Sequence, residues 1–430
     1  MSDASLFREF RENLKVKNAE DISTSYRRIT ARLNNDFWGL DSDQSHSMKI
    51  GSWGRQTAIR GVSDLDMVFE ITQAAFDRYK ANSGNGPSVM LQEVRTSLLR
   101  SYPNSTIKAD GQVVGVYLGH YRVEVLPALR DANGDYIHGD TNSGGTWKTT
   151  KPRPEIAAVN SLNDTTSGNL KHVAKMLRAW KNRNGVGIGG LLVDTFAHKF
   201  FTANTAYNTA TYADYPKLFV DLFSYLGQLP EQDYWWAPGS NQRVKCKSKF
   251  QAKARKAAVK CQSAIDASSE LAKSKLWRKV FGLQFPKVEA AKKAQEQASR
   301  VADNEQFIED TYPLDIRYDI ELDCGIRQQD VQLDLLRRFR KSGRRLPHGK
   351  GLKFFVPSCD VPEPYKLFWK VRNQGEEATR LENLRGEIEP DGGSAQKFEH
   401  TSFAGDHYVE VYAVKDGFTV ARRRIAVPIE

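Results

Sequence analysis

Two acids, Asp64 and Asp66, stand one residue apart at the mouth of the apolar run Met67-Val68-Phe69, just downstream of a Gly51-Ser52 pair. Alternate side chains of a strand point to one face, so both carboxylates project toward the same point. Like charges held that close repel unless a cation lies between them, and hard divalent ions are held by oxygen ligands of this kind. Gly51-Ser52 reads as a turn whose backbone N–H groups and hydroxyl can donate to phosphate oxygens, glycine allowing the close approach. A third acid is expected from a neighbouring strand. Tyr121-Arg122-Val123-Glu124-Val125-Leu126 supplies Glu124, between two valines that face the other way. Three such carboxylates can hold two metal ions, so Asp64, Asp66 and Glu124 are the candidate catalytic and metal-ligating residues.

The rest of the chain sets limits around this constellation. It has 430 residues, enough for about two or three domains. No apolar run is long enough to span a bilayer, and the first residues, MSDASLFREFRENL, lack a basic-then-apolar leader. Cys246, Cys261, Cys324 and Cys359 are scattered and form no CxxC pair, against both a disulfide framework and a structural zinc site. A reducing, cytoplasmic setting is therefore expected. Lys and Arg total 63 against 52 acids, a net +11, which favours an anionic partner without naming it.

Three changes of character divide the sequence. Residues 1 to about 47 read as helical, with Leu6, Phe7, Phe10 and Leu14 at helical spacing. Short β-rich runs follow at 66–71, 112–118 and 121–126. Residues 165 to about 310 read as mainly helical and strongly basic. Pro313 closes the helical pattern, and a β-rich tail begins near Leu314. There Tyr318, Ile320, Leu322 and Cys324 alternate with charged residues, and Leu367 to Val371 is a further strand. The runs 407–414 and 418–427 flank Asp416-Gly417, a hairpin turn signal. A β-sandwich is expected from this tail.

The run Gly51-Ser52-x-x-Arg55-x-Thr57-Ala58-Ile59-Arg60-Gly61-x-Ser63-Asp64-Leu65-Asp66, with the later Val123-Glu124-Val125-x-Pro127-Ala128, resembles the DNA polymerase β-like nucleotidyltransferase superfamily. Within it the chain looks like the bacterial relatives of cyclic GMP–AMP synthase and oligoadenylate synthase, the CD-NTases of antiphage signalling. The superfamily more often has Asp where Glu124 stands. A second stretch, Asn169 to Asn182, resembles the family's spine helix. Arg178 and Lys181 share one face there and become candidate triphosphate contacts beside Gly51, Ser52 and Arg55. The family more often has lysine at the position of Arg178. The tail resembles the adenylyl/guanylyl cyclase and SMODS C-terminal sensor domain. It does so through Asp360-Val361-Pro362, Phe368-Trp369-Lys370-Val371-Arg372-Asn373, Leu384-Arg385-Gly386 and His407-Tyr408-Val409-Glu410.

The resemblance implies an α+β fold. A two-lobed polymerase β-like nucleotidyltransferase, with a mixed-sheet lobe and a helical lobe, would precede a C-terminal all-β sandwich. The divisions fall at residues 1–165 (catalytic lobe with an N-terminal brace helix), 166–312 (helical lobe) and 313–430 (sensor). It implies an enzyme using nucleoside triphosphates and Mg²⁺, with Mn²⁺ as the alternative, to make a cyclic or linear oligonucleotide second messenger. Pyrophosphate would leave, and a separate effector protein would respond to the product. Two alternatives stand beside it: a same-fold enzyme modifying a protein or a nucleic-acid end, and a non-catalytic nucleotide-sensing regulator.

Other features are weaker. Arg243 to Lys260 carries eight positive charges and no acid, in a stretch read as helical, and Arg337 to Arg345 forms a second basic cluster. Either suits a nucleic acid or another anion bound at the basic surface or sensor domain; a solvated face is the plainer reading. Tyr234-Trp235-Trp236 and Trp369 read first as packing, and only second as base-stacking groups.

Overall fold

The computed structural model describes residues 2–61, 64–288, 305–312, 314–328, 331–381 and 383–430. Pro313 and Ser63, both used in reading the sequence, lie outside the described residues.

Two helices open the chain. In α1 (Asp3–Asn13) the Ser2 hydroxyl caps the first turn. Leu6, Phe7, Phe10 and Leu14 are all buried, on a single helical stripe. The stripe packs into the helical lobe, where Phe7 touches the rings of Tyr215, Phe219 and Trp277. The longer α2 (Ala19–Trp38) instead buries Ile22, Ile29 and Leu33 against the first sheet.

That sheet has seven strands: β1 (Ser47–Lys49), β2 (Asp64–Glu70), β3 (Thr106–Asp110), β4 (Val113–Leu118), β5 (Tyr121–Arg130), β6 (Tyr136–Asp140) and β7 (Thr146–Thr150). The order is β1-β2-β5-β4-β3, with β6 joining β5 to β7. Only β2 and β5 run parallel, so the sheet is mixed. The short helix α3 (Gly51–Gly54) lies between β1 and β2. Helices α4 (Gln73–Lys80) and α5 (Gly86–Ser101) connect β2 to β3, and α5 shares the apolar core of α2 on one face of the sheet.

The helical lobe contains α6 (Pro152–Thr165), α7 (Asn169–Asn184), α8 (Gly190–Ala203), α9 (Tyr215–Gln228), α10 (Gln251–Ile265) and α11 (Glu270–Phe281), around a core rich in aromatic rings. A small hairpin of β8 (Tyr234–Trp236) and β9 (Arg243–Lys245) interrupts it. The helical reading of 243–260 is therefore corrected in its first half. Lys245, Lys247 and Lys249 are exposed while Cys246, Ser248 and Phe250 are buried, a period of two that marks extended chain. Helix begins only at Gln251. Trp235 is buried against Phe196, and only Trp236 is substantially exposed.

The tail is a sandwich of two four-stranded antiparallel sheets. One has the order β11-β10-β12-β15, from β10 (Asp323–Gln328), β11 (Val331–Leu335), β12 (Gly351–Phe355) and β15 (Gln396–His400). The other is β14-β13-β16-β17, from β13 (Lys366–Arg372), β14 (Arg385–Pro390), β16 (Gly405–Lys415) and β17 (Phe418–Ile429). A short helix α12 (Leu336–Lys341) follows β11. One core joins the sheets, with Cys324, Phe354, Trp369, Val411 and Ile425 inside. The last hairpin turns at Asp416-Gly417, both in the left-handed region, as a two-residue turn requires. The α+β class and the all-β tail both stand as expected. Among the described residues, no helix is long and apolar enough to cross a membrane.

Candidate active site

The parallel pairing of β2 with β5 sets the site. Asp66 and Glu124 are direct register partners, as are Asp64 and Arg122. Residues two apart share a face, so these four side chains form one patch on the sheet. The Gly51-Ser52 turn is fastened over it, because Ile50 N donates to Asp66 O at 2.8 Å. Gly51 has φ +58°, and a Cβ there would lie 1.9 Å from Asp66 Oδ2. Only glycine lets the turn sit this close to the acid. Gly51, Ser52, Asp64, Asp66 and Glu124 line one cleft of about 420 Å³, together with Arg55, Arg178 and Lys181.

The charges are strongly coupled. Burial, then Glu124 and Asp64, push the Asp66 carboxyl well above the usual carboxylate range. Burial also opposes ionisation of Asp64, but the Arg317 and Arg122 guanidinium groups outweigh it and hold that carboxyl low. Arg122 reaches Glu124 at 2.7 Å and Asp64 at 3.2 Å. Arg317 forms an ion pair with Asp64 and lies 2.6 Å from Asp315.

Among the described residues, no three His, Cys, Asp or Glu side chains are drawn together as a ready-made metal nest. Asp64 is turned onto two arginines. The donor set nonetheless suits a hard cation. Asp64 Oδ1 is buried with no hydrogen-bond partner, and Asp66 is destabilised as an anion by the two acids beside it. A bridging cation would relieve both.

The basic candidates are held more tightly than their sequence positions suggest. Arg178 donates to Thr57 O at 2.7 Å, Gly190 O at 3.1 Å and Asp194 Oδ2 at 2.7 Å. Arg55 Nε meets the same Asp194 oxygen at 2.7 Å, and Thr57 Oγ1 meets it at 3.0 Å. Asp194 thus locks the segment after the turn to α7 and α8. Lys181 donates to Ile188 O at 3.0 Å and to Ile316 O. Burial lowers its ammonium to about 8.

Four residues of this site escaped the sequence reading. Arg122 was legible, two positions before Glu124 on the same strand face. Asp194, Asp315 and Arg317 carried no local signal. The last two belong to the segment leading into the sandwich, and the hairpin tip joins them: Arg122 lies over the Phe418 ring at 4.9 Å, and Lys108 pairs with Asp416.

Residues 1–163 match the model of the Second Messenger Oligonucleotide or Dinucleotide Synthetase (SMODS) domain. Residues 302–430 match that of the Adenylyl/Guanylyl and SMODS C-terminal sensor domain. The chain is similar to a Cyclic AMP-AMP-AMP synthase of Acinetobacter sp. (strain ATCC 27244 / 9458), 23% identical over 296 residues, covering 64% of this chain and 82% of that protein. Among solved structures it is similar to E. coli MS115-1 CdnC with ATP (15% identity, 66% of this chain, 98% of that one, TM-score 0.49). It is also similar to Bradyrhizobium diazoefficiens CD-NTase CdnG with GTP (12% identity, 64% and 94%, TM-score 0.49). A third such structure is Vibrio cholerae DncV without ligand (13% identity, 67% and 89%, TM-score 0.46).

Proposed function

We propose, from the matches of residues 1–163 to the second-messenger oligonucleotide or dinucleotide synthetase domain and of residues 302–430 to its C-terminal sensor domain, that the chain joins nucleoside triphosphates into a cyclic or linear oligonucleotide signal. The observation that carries this is the register of Asp66 with Glu124, beside Asp64, under a glycine turn in an open cleft. We read 1–165 as the catalytic lobe, 166–312 as the helical lobe and 313–430 as the sensor.

In the proposed reaction a sugar hydroxyl attacks an α-phosphate. A new O–P bond forms as the bond to pyrophosphate breaks, and the hydroxyl proton is lost. Asp64, Asp66 and Glu124 would hold Mg²⁺ or Mn²⁺, which when bound supplies charge neutralisation for the triphosphate and a lowered hydroxyl pKa. The turn at Gly51-Ser52 orients the phosphates, and Ser52 adds a donor. Arg55, Arg178 and Lys181 give the wall of the cleft a positive field while their head groups stay fixed by Asp194 and by backbone carbonyls. Fixed charges of this kind need little reorganisation during the reaction.

The product would act on a separate effector protein in antiphage defence, in the cytoplasm, with the sandwich gating synthesis. The Acinetobacter relative's name makes ATP the first substrate to test. A macromolecular substrate is less well supported, because Lys253, Lys256 and Lys260 line a different cavity, facing the sandwich. The test is incubation with labelled ribo- and deoxyribonucleoside triphosphates and Mg²⁺ or Mn²⁺, with mass spectrometry of the products. Small, protease-resistant labelled oligonucleotides are expected; label retained on protein or on polynucleotide would reject the reading.

A further inference from the structure

A second cavity, of about 440 Å³, lies between the helical lobe and the sandwich and shares no lining residue with the cleft. Its helical wall carries Lys253, Lys256 and Lys260, spaced to fall on one face of α10, with Arg183 from α7 and Lys279 from α11. Its opposite wall carries Arg422, Arg423 and Arg424 from β17 and Arg340 from α12. Glu410 is the single acid in the lining, already held by Arg422 at 2.8 Å and Arg424 at 3.0 Å.

We propose that this cavity binds a compact polyphosphate anion that bridges the helical lobe and the sandwich. A solvated basic face would spread its charges into water. Here cations from two different lobes converge on one half-open cavity, and the more buried of them, Arg183, Lys253 and Arg422, are screened least. Arg183, Lys256, Lys260, Lys279, Arg340 and Arg423 make no ion pair or side-chain hydrogen bond among the described residues. Arg422 is buried, and its Nη1 has no hydrogen-bond partner. A buried guanidinium N–H left unpaired is costly, and phosphate oxygens are its natural acceptors. Crowding shows in the proton affinities as well. Burial first, then Arg422 and Arg424, lower Arg183 to about 10, and burial lowers Lys253 to about 8.

The same lining selects the size of ligand. It contains no aromatic ring, so it offers no platform on which successive bases of a polynucleotide could stack. The volume is that of a small-molecule site. The site also reaches the cleft through one short segment. Asp319 lies 3.5 Å from Lys253 of the basic wall, while Arg317 pairs with Asp64.

The test uses the full chain in EDTA and titrates inorganic tripolyphosphate by calorimetry. No turnover is read, so the result is independent of the catalytic reading. Micromolar binding that weakens as salt rises is expected. The Lys256→Glu/Lys279→Glu variant, both positions exposed, should weaken it by at least about tenfold, as should Arg423→Glu from the facing wall. Lys245→Glu, exposed on β9 and outside the lining of either cavity, should change it less than about twofold. Absence of binding, equal binding by the charge-reversal variants, or binding of single-stranded RNA without tripolyphosphate would each overturn the proposal.

Discussion

Arg317, at the entrance to the C-terminal sandwich, is ion-paired to Asp64 at the head of β2. Its side chain is 38% exposed while that of Asp64 is 5% exposed. The arginine therefore sits at the rim of the cleft and reaches inward, where it competes with any cation for the same carboxylate.

Removing that competitor should ease metal binding. Partly exposed pairs contribute up to about 1 kcal/mol, so Arg317→Ala should lower the half-saturating Mg²⁺ concentration by about two- to fivefold. Pyrophosphate release measured across a Mg²⁺ titration checks this. An unchanged or higher requirement would mean that Arg317 does not stand in the cation's way.

Asp66 makes a pH prediction of definite sign. Its folded-state pKa is raised by burial, Glu124 and Asp64, above an unfolded value of about 3.9. Below that value the acid is protonated in both states and costs nothing. As pH rises through it the unfolded chain gives up the proton first, so the metal-free protein loses stability toward neutrality. Asp66→Asn should therefore melt higher than the parent in EDTA at pH 7, by about 2–4 °C for each kcal/mol relieved. The difference should shrink near pH 4. Melting curves at the two pH values decide it, and a lower melting point at pH 7 would contradict the account.

Gly51→Ala should be damaging out of proportion to its size. The new methyl would meet Asp66 Oδ2, and φ +58° is unfavourable for alanine. The turn or the acid must move, so turnover should fall by at least about a hundredfold, since small misplacements of reacting groups are that costly. Activity within about threefold of the parent would show that the close approach is dispensable.

Asp194 carries no chemistry in this reading, yet its loss should be severe. Its Oδ2 accepts from Arg55, Thr57 and Arg178. Asp194→Asn would leave the buried Arg178 guanidinium without its counter-charge and Arg55 with only Glu155 at 3.6 Å, a cost of about 3–5 kcal/mol. A melting temperature lower by about 10 °C follows, and an unchanged one would contradict it.

Local signals in this chain were legible and distant ones were not. The apolar run Met67-Val68-Phe69 marked β2, and Asp416-Gly417 marked the last hairpin, because apolar runs and turn chemistry are written in neighbouring residues. Glu124 could be read as the third acid because its strand contained one acid, between two valines facing the other way. Arg317 and Asp315 reach the site through the fold of a separate domain, and nothing in Leu314 to Tyr318 announces their partners. Asp194 lies inside the apolar run Leu191 to Phe201, where a lone acid reads as a helix residue until Arg55 and Arg178 are brought against it. The basic run from Arg243 misled for a different reason: its density of charge drew attention from its period of two, which the alternating burial of Cys246, Ser248 and Phe250 makes plain.

The most direct measurement is pyrophosphate release from nucleoside triphosphates with Mg²⁺ or Mn²⁺ by the parent chain and by Asp64→Asn, with folding checked by melting. The account predicts release by the parent and loss of at least about a thousandfold in the folded variant. A folded Asp64→Asn protein that releases pyrophosphate at the parent's rate would contradict it.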